Sequence, residues 1–190
     1  MYKVLIFDFF DVLAPDFYRV WLEKNKKTRT GEYLKIAQDI DSGRITLGEY
    51  YSRLALLSGQ SAHSLKDEFE NEVDLNHELF DVIKRLRKKH KIALLTNSPA
   101  NMVRHILQNN NLEQFFDTII ISGEVGNVKP DPEIFQSALN QMKILPHEAI
   151  FIDDLAEYVA GAEHVGIKGI QYKNPEQLRE RLRQEGVDVA

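Results

Sequence analysis

The sequence predicts an α/β protein built on a doubly wound parallel sheet, with a small all-helical segment inserted after the first strand. Two observations carry this. First, four short apolar runs, at residues 4–7 (VLIF), 92–95 (IALL), 119–121 (III) and 150–152 (IFI), do not alternate with polar residues. Such runs read as strands buried on both faces, as in a parallel sheet. Second, segments with helical spacing separate them. Leu79, Val82, Ile83 and Leu86 form one apolar stripe. Val103, Ile106 and Leu107 form another, with Ser98 as expected N-cap and Pro99 at the first helical position. Asp131-Pro132 repeats that start signal ahead of Ile134, Phe135 and Leu139. The basic run at residues 84–91 reads as the last turns of a helix, where cations suit the C-terminus.

From Pro15 to about Asn76 the alternation stops. Three helical patterns replace it: Phe17, Val20, Trp21 and Leu22; Leu34, Ile36 and Ile40; and Tyr50, Tyr51, Leu54 and Leu57. Gly43-Arg44-Ile45-Thr46 reads as a helix-to-helix turn, with Thr46 capping the next helix. The stretch is too long for a loop. The expected division is a core of residues 1–14 and 77–190 and a helical insertion of residues 15–76.

Composition bounds the function. A chain of 190 residues is one domain, or one with a small insertion, at roughly 100–200 residues per domain. Hydrophobic residues at 43% and charged residues at 28% exclude a disordered chain. A net charge of −5 argues against nucleic-acid and anionic-membrane partners. The lack of cysteine removes disulfides, thiolate metal sites and cysteine nucleophiles, and fits a reducing compartment. No apolar run approaches the ~20 residues that span a bilayer. Only four apolar residues follow Lys3, too few for a signal-peptide core, so a cytoplasmic location is expected. The six histidines show no metal-ligand spacing.

Three of the four runs end in groups with chemistry: Asp8, Thr96-Asn97 and Asp153-Asp154. Ligands bind at the carboxyl ends of strands in open parallel sheets, so these groups are expected to converge. Each taken alone reads as a turn or cap residue.

The joint pattern resembles the haloacid dehalogenase-like hydrolase superfamily over nearly the whole chain. VLIFDFFDVL is similar to its first motif, LLTNS to its second, NVKPDPEIF to its third and FIDDLAEYVAGAEHVGIKGI to its fourth. The insertion falls where the superfamily's C1-type helical cap falls, on a Rossmann-like core. The resemblance implies a Mg²⁺-dependent phosphatase acting on a small phosphorylated metabolite, for example a sugar phosphate, as monomer or homodimer. Asp8 is then the nucleophile that forms an aspartyl-phosphate. Mg²⁺ is held by Asp8, the Phe10 backbone carbonyl and the Asp153-Asp154 pair, with Asp154 as the direct ligand of the two. Thr96 and Asn97 bind the phosphate, and Lys129 neutralises it while keeping Asp8 ionised.

One position departs from the family. Its phosphatases carry a second Asp two residues after the nucleophile, as general acid and base; here Phe10 stands there, and Asp11 occupies a position where glycine is usual. Asp11 is a catalytic candidate, weakened because neighbouring side chains on an extended chain point apart. The favoured reading is an enzyme working without that acid. A catalytically silent phosphate- or partner-binding module is the alternative outside catalysis. The metal-independent 2-haloacid dehalogenases carry a tyrosine at the position of Phe10, but lack the acidic pair. Three close carboxylates repel each other without a cation, which ranks dehalogenase behind phosphatase. Phe17, Tyr18, Trp21, Tyr50 and Tyr51 read chiefly as core of the helical insertion, and Arg19 and Arg44 as cations within reach of a substrate anion.

Overall fold

The computed structural model describes residues 1–70 and 73–189. In chain order, β1 (Val4–Phe7) is followed by four helices, α1 (Phe17–Lys24), α2 (Gly31–Asp41), α3 (Leu47–Ser58) and α4 (Ala62–Glu70). Next come α5 (His77–Leu86), β2 (Lys91–Thr96), α6 (Ala100–Asn109), β3 (Thr118–Ile121), the single turn α7 (Ser122–Val125) and α8 (Pro132–Met142). The chain closes with β4 (Ala149–Asp153), α9 (Ala156–His164), β5 (Lys168–Gln171) and α10 (Pro175–Gln184).

All five strands are parallel, in the order β3-β2-β1-β4-β5. Side chains alternate between two buried faces, which is why the strands read as continuous apolar runs. Leu5, Phe7, Leu94 and Ile152 pack with Leu79 and Ile83 of α5, Val103 of α6 and Leu178 of α10. Val4, Ile6, Leu95 and Phe151 pack on the other face with Ile134, Phe135 and Leu139 of α8. After β3 the chain crosses to the far side of β1 and enters β4. That reversal opens a crevice at the carboxyl ends of β1 and β4. Register places Phe7 opposite Leu94 and Ile152, so Asp8, Thr96 and Asp153 leave the sheet side by side.

Several expectations need correction. Among the described residues the helical insertion has four helices; in α4, Leu65 and Phe69 are the buried apolar residues described, too little periodicity to read in advance. Val20, Leu34 and Leu57 are exposed. Only the start of the 84–91 run ends a helix: Lys84 and Arg85 lie in the last turn of α5, which stops at Leu86; a turn follows, and Lys91 opens β2. Ser98 is not a cap. Pro99 takes the N-cap position of α6, while Ser98 lies buried with its N–H donating to Ser122 Oγ at 2.9 Å. Asp131 does precede Pro132 at the N-terminus of α8, without a side-chain capping bond. Thr46 caps α3 reciprocally with Glu49. The edge strand β5 had no sequence reading: Lys168 and Gln171 flank its apolar centre, and Gly169 carries no side chain.

Glycine sets the approach of α9 to the site. A Cβ on Gly161 would stand 2.7 Å from the Pro130 carbonyl oxygen and 2.8 Å from Pro130 Cβ, next to Lys129. Gly161→Ala is expected to push the 129–130 loop away from α9, at a cost of about 1–3 kcal/mol. A thermal melt would then fall by roughly 2–12 °C for a chain of this length; an unchanged melt would contradict the close contact.

Candidate active site

The first turn after β1 sets the geometry. Leu13 and Ala14 N–H groups both donate to the Phe9 carbonyl, at 2.8 and 3.0 Å, and Asp11 N–H donates to Ala14 O. Asp11 sits at φ 55°, in the left-handed region. That explains why glycine suits this position, and it corrects the expectation of an extended chain. The turn brings Asp11 to the same cavity as Asp8. Its carboxylate is already engaged: Arg19 donates through Nε at 2.8 Å and Nη2 at 2.6 Å, and Asp16 N–H donates at 3.1 Å. Burial raises the Asp11 carboxyl, but the Arg19 fork and the Asp16 N–H outweigh it and hold it below the ordinary value. A strongly ionised, doubly bound carboxylate is a poor proton donor.

Lys129 is the centre of the site. Its side chain is fully buried, with Nζ hydrogen-bonded to Asp153 Oδ2 at 2.6 Å and ion-paired with Asp8 Oδ1 at 2.8 Å, although Asp8 Oδ1 accepts no well-directed hydrogen bond. The ring of Tyr158 lies 4.9 Å from Nζ. Asn97 fixes the lysine's backbone at both ends, accepting from Lys129 N–H at 2.8 Å and donating to Lys129 O at 3.0 Å. Burial lowers the Lys129 ammonium, but Asp8 and Asp153 more than reverse it, so the group stays cationic. Burial raises the Asp8 carboxyl, with Lys129 pulling it back and Asp153 adding to the rise.

Asp8, Asp153 and Asp154 can each present an oxygen within 4.8 Å of the others. Three carboxylates against one lysine leave the group short of positive charge. The two aspartates after β4 differ. Asp153 has both oxygens occupied, one by Lys129 and one by Leu155 N–H at 2.9 Å. Asp154 lines the cavity with no side-chain partner among the described residues, and burial and the neighbouring Asp153 push its carboxyl up to about 6. The Phe10 carbonyl accepts no hydrogen bond among the described residues. This all-oxygen, anionic donor set suits a hard divalent cation.

Thr96 ends β2 fully buried, and its hydroxyl has no partner among the described residues. It does not line the cavity; Asn97 does. The cavity, of about 310 Å³, is closed on its far side by the helical insertion. Trp21 and Tyr51 are core residues as expected, but Phe17, Tyr18 and Tyr50 also face the cavity. Arg19 lines it; Arg44 does not, and pairs with Asp39 instead.

Sequence reasoning missed several residues. Tyr158, in the first turn of α9, is one of them. Ser122 follows the third apolar run, so the strand-end argument applied there would have found it. Its hydroxyl accepts from Ser98 N–H and donates to the Asp41 carbonyl, tying α2 to the core. Asp16, Arg29 and Asp41 also line the cavity. No helix among the described residues is long and apolar enough to cross a membrane.

Residues 57–171 match the family model of the haloacid dehalogenase-like hydrolases. The chain belongs to that family. It is 27% identical to D-ribitol-5-phosphate phosphatase of Bacteroides thetaiotaomicron, over 96% of this chain and 97% of the relative. A haloacid dehalogenase family enzyme from the same organism shares the fold, with TM-score 0.80, 23% identity and coverage of 96% and 98%. That enzyme in complex with magnesium and inorganic phosphate superposes with TM-score 0.74, at 22% identity over 92% of this chain and 96% of that one. L-2-haloacid dehalogenase from Xanthobacter autotrophicus, with chloropropionic acid covalently bound, shares the fold at TM-score 0.68, with 18% identity and coverage of 99% and 85%.

Proposed function

We propose that this haloacid dehalogenase-like hydrolase is a Mg²⁺-dependent phosphatase acting on a small phosphomonoester. The observation that carries the reading is the buried Asp8–Lys129–Asp153 bridge with Asp154 beside it, a charge arrangement that calls for a cation and an anionic ligand together. The phosphatase relative over nearly the whole chain supports it. So does the magnesium and phosphate bound by an enzyme of the same fold.

Asp8, Asp154 and the Phe10 carbonyl would hold Mg²⁺ directly, with Asp153 oriented by Lys129 and Leu155 N–H behind them. The ion supplies positive charge against the repulsion between a carboxylate and a phosphate. An Asp8 oxygen attacks phosphorus; the new O–P bond forms as the bond to the leaving oxygen breaks. Lys129 stabilises the transferring group, and Asn97 fixes Lys129 in place. Water then hydrolyses the aspartyl-phosphate to inorganic phosphate and free Asp8. Residues 15–76, as a helical cap, exclude bulk water while this happens.

Phe10 offers no proton, and Asp11 is held ionised by Arg19, so the leaving oxygen takes its proton from water. Phe10→Asp is expected to raise kcat on unactivated alkyl phosphates by up to about 10²–10⁴-fold, and far less on an activated aryl phosphate. Equal effects on both would contradict the missing-acid account.

The cation must displace protons from its ligands. With Asp154 titrating near 6, Mg²⁺ affinity is expected to fall as pH drops through that value, by up to about tenfold per pH unit below it. Mg²⁺ titrations followed by thermal shift at pH 7.5 and 5 measure this; equal midpoints would rule it out.

Phe10 at the tyrosine position of the haloacid dehalogenases makes dehalogenation the second reading. One pair of assays separates them. Phosphate release from a phosphomonoester panel, dependent on Mg²⁺ and abolished by EDTA, is the expected result. Chloride release from a 2-chloroacid in EDTA would establish the other. Mg²⁺ and phosphate binding without turnover would make the protein a silent binding module.

A further inference from the structure

Two aromatic rings stand near the Lys129 ammonium, Phe151 at 5.4 Å and Tyr158 at 4.9 Å from Nζ. Phe151 belongs to the buried core, whereas Tyr158 lines the cavity with Asp8, Lys129 and Asp154. The packing of α9 holds it there. Tyr158 and Gly161 are three residues apart and share one face of that helix. The missing side chain of Gly161 lets the face close on Pro130, next to Lys129.

The direction of the hydrogen bonding at the Tyr158 hydroxyl is fixed by Asn97. A backbone N–H only donates and a carbonyl only accepts. Bound to Lys129 N–H through Oδ1 and to Lys129 O through Nδ2, the Asn97 amide can stand only one way round. Its Nδ2 also donates to Tyr158 Oη, at 3.4 Å. The phenol oxygen is therefore the acceptor, and its own O–H has no acceptor among the described residues. Burial raises the phenol above its ordinary value although Lys129 pulls it down, so it keeps its proton. Three other donors are spent or displaced. Tyr18 gives its proton to the Tyr33 carbonyl at 2.8 Å, Arg19 is held by Asp11 and Glu23, and Thr96 does not line the cavity.

We propose that Tyr158 is a further catalytic residue, its phenol O–H donating a hydrogen bond to an oxygen of the transferring phosphoryl group. The proposal rests on the phosphatase reading and adds a ligand for the phosphoryl group at that same site. The phenol keeps its proton throughout, and the leaving oxygen still takes its proton from water. A neutral donor suits this place. Lys129 already answers two carboxylates, and the O–H aims partial positive charge at the phosphate without placing a second cation beside the metal ligands. Covering Lys129 needs only a ring, which phenylalanine would supply equally; the hydroxyl is what the phosphoryl group requires.

The test measures inorganic phosphate binding to the Mg²⁺-loaded protein by calorimetry, and kcat and KM on an aryl phosphate, in wild type, Tyr158→Phe and Tyr158→Leu. Tyr158→Phe keeps the ring on Lys129, so its melt is expected within about 2 °C of wild type. Its phosphate affinity and its kcat/KM are each expected to fall by about ten- to a hundredfold, the usual loss for a hydrogen bond to a charged group. Tyr158→Leu, which lacks the ring as well, is expected to lose at least as much. Affinity and kcat/KM within about twofold of wild type in Tyr158→Phe would overturn the proposal. So would a loss confined to Tyr158→Leu, which would leave the ring as the whole contribution. Either result, with wild-type turnover intact, defeats this proposal alone. A wild type that neither binds phosphate with Mg²⁺ nor turns over the aryl phosphate defeats the phosphatase reading with it.

Discussion

Asp8→Asn is expected to abolish turnover, with kcat down by more than about 10⁴-fold on every substrate. The substitution keeps shape and removes the nucleophile. It also removes one of the two carboxylates that Lys129 bridges, so the fold is expected to survive, with Lys129 still bonded to Asp153 at 2.6 Å. The variant is therefore expected to bind Mg²⁺ more weakly and still to bind phosphate, since Lys129 then faces one fewer negative charge. Initial rates on an aryl phosphate, with a thermal melt to show folding, check this. Retained turnover at even a tenth of wild type would show that the reaction does not run through Asp8.

Lys129→Met carries the largest expected effect on stability. The ammonium is fully buried between two buried carboxylates. Removing it leaves both without a counter-charge, a situation that typically costs about 3–5 kcal/mol. In a chain of this length the melting temperature is expected to fall by roughly 6–20 °C. Because a divalent cation supplies the same compensation, Mg²⁺ is expected to raise the melt of this variant more than that of wild type. Turnover is expected to be lost in either case, since no cation then touches the transferring phosphoryl group from the protein side. A melt within about 2 °C of wild type in EDTA would contradict the role of Lys129 as keystone of the site.

The parts of the molecule legible in the sequence were those under the strongest constraint. Strands buried on both faces can only be apolar, so β1 to β4 announced themselves, and the strand-end rule then placed Asp8, Thr96 and Asp153 side by side. An edge strand is free of that constraint; Lys168, Gly169 and Gln171 in β5 carry no such signal. Local reasoning failed where tertiary contact overrides it. Ser98 reads as a cap, but packing against Ser122 buries it. Asp11 reads as part of an extended chain, but the turn closed on the Phe9 carbonyl rotates it into the cavity. The wall made by Arg29, Asp41 and Tyr50 was invisible for a different reason. A loop arginine, a helix-terminal aspartate and a helical tyrosine each look ordinary alone, and only the packing of α1 to α3 over the sheet brings them to one cavity.

The central claim is that the Asp8 carboxylate itself becomes phosphorylated. Acid quenching of wild type during turnover of an aryl phosphate, followed by proteolysis and mass spectrometry, tests it directly. A phosphoryl adduct on the peptide that contains Asp8, sensitive to hydroxylamine and absent without Mg²⁺, is the expected result. Turnover with no adduct, or with the adduct on another residue, would contradict it.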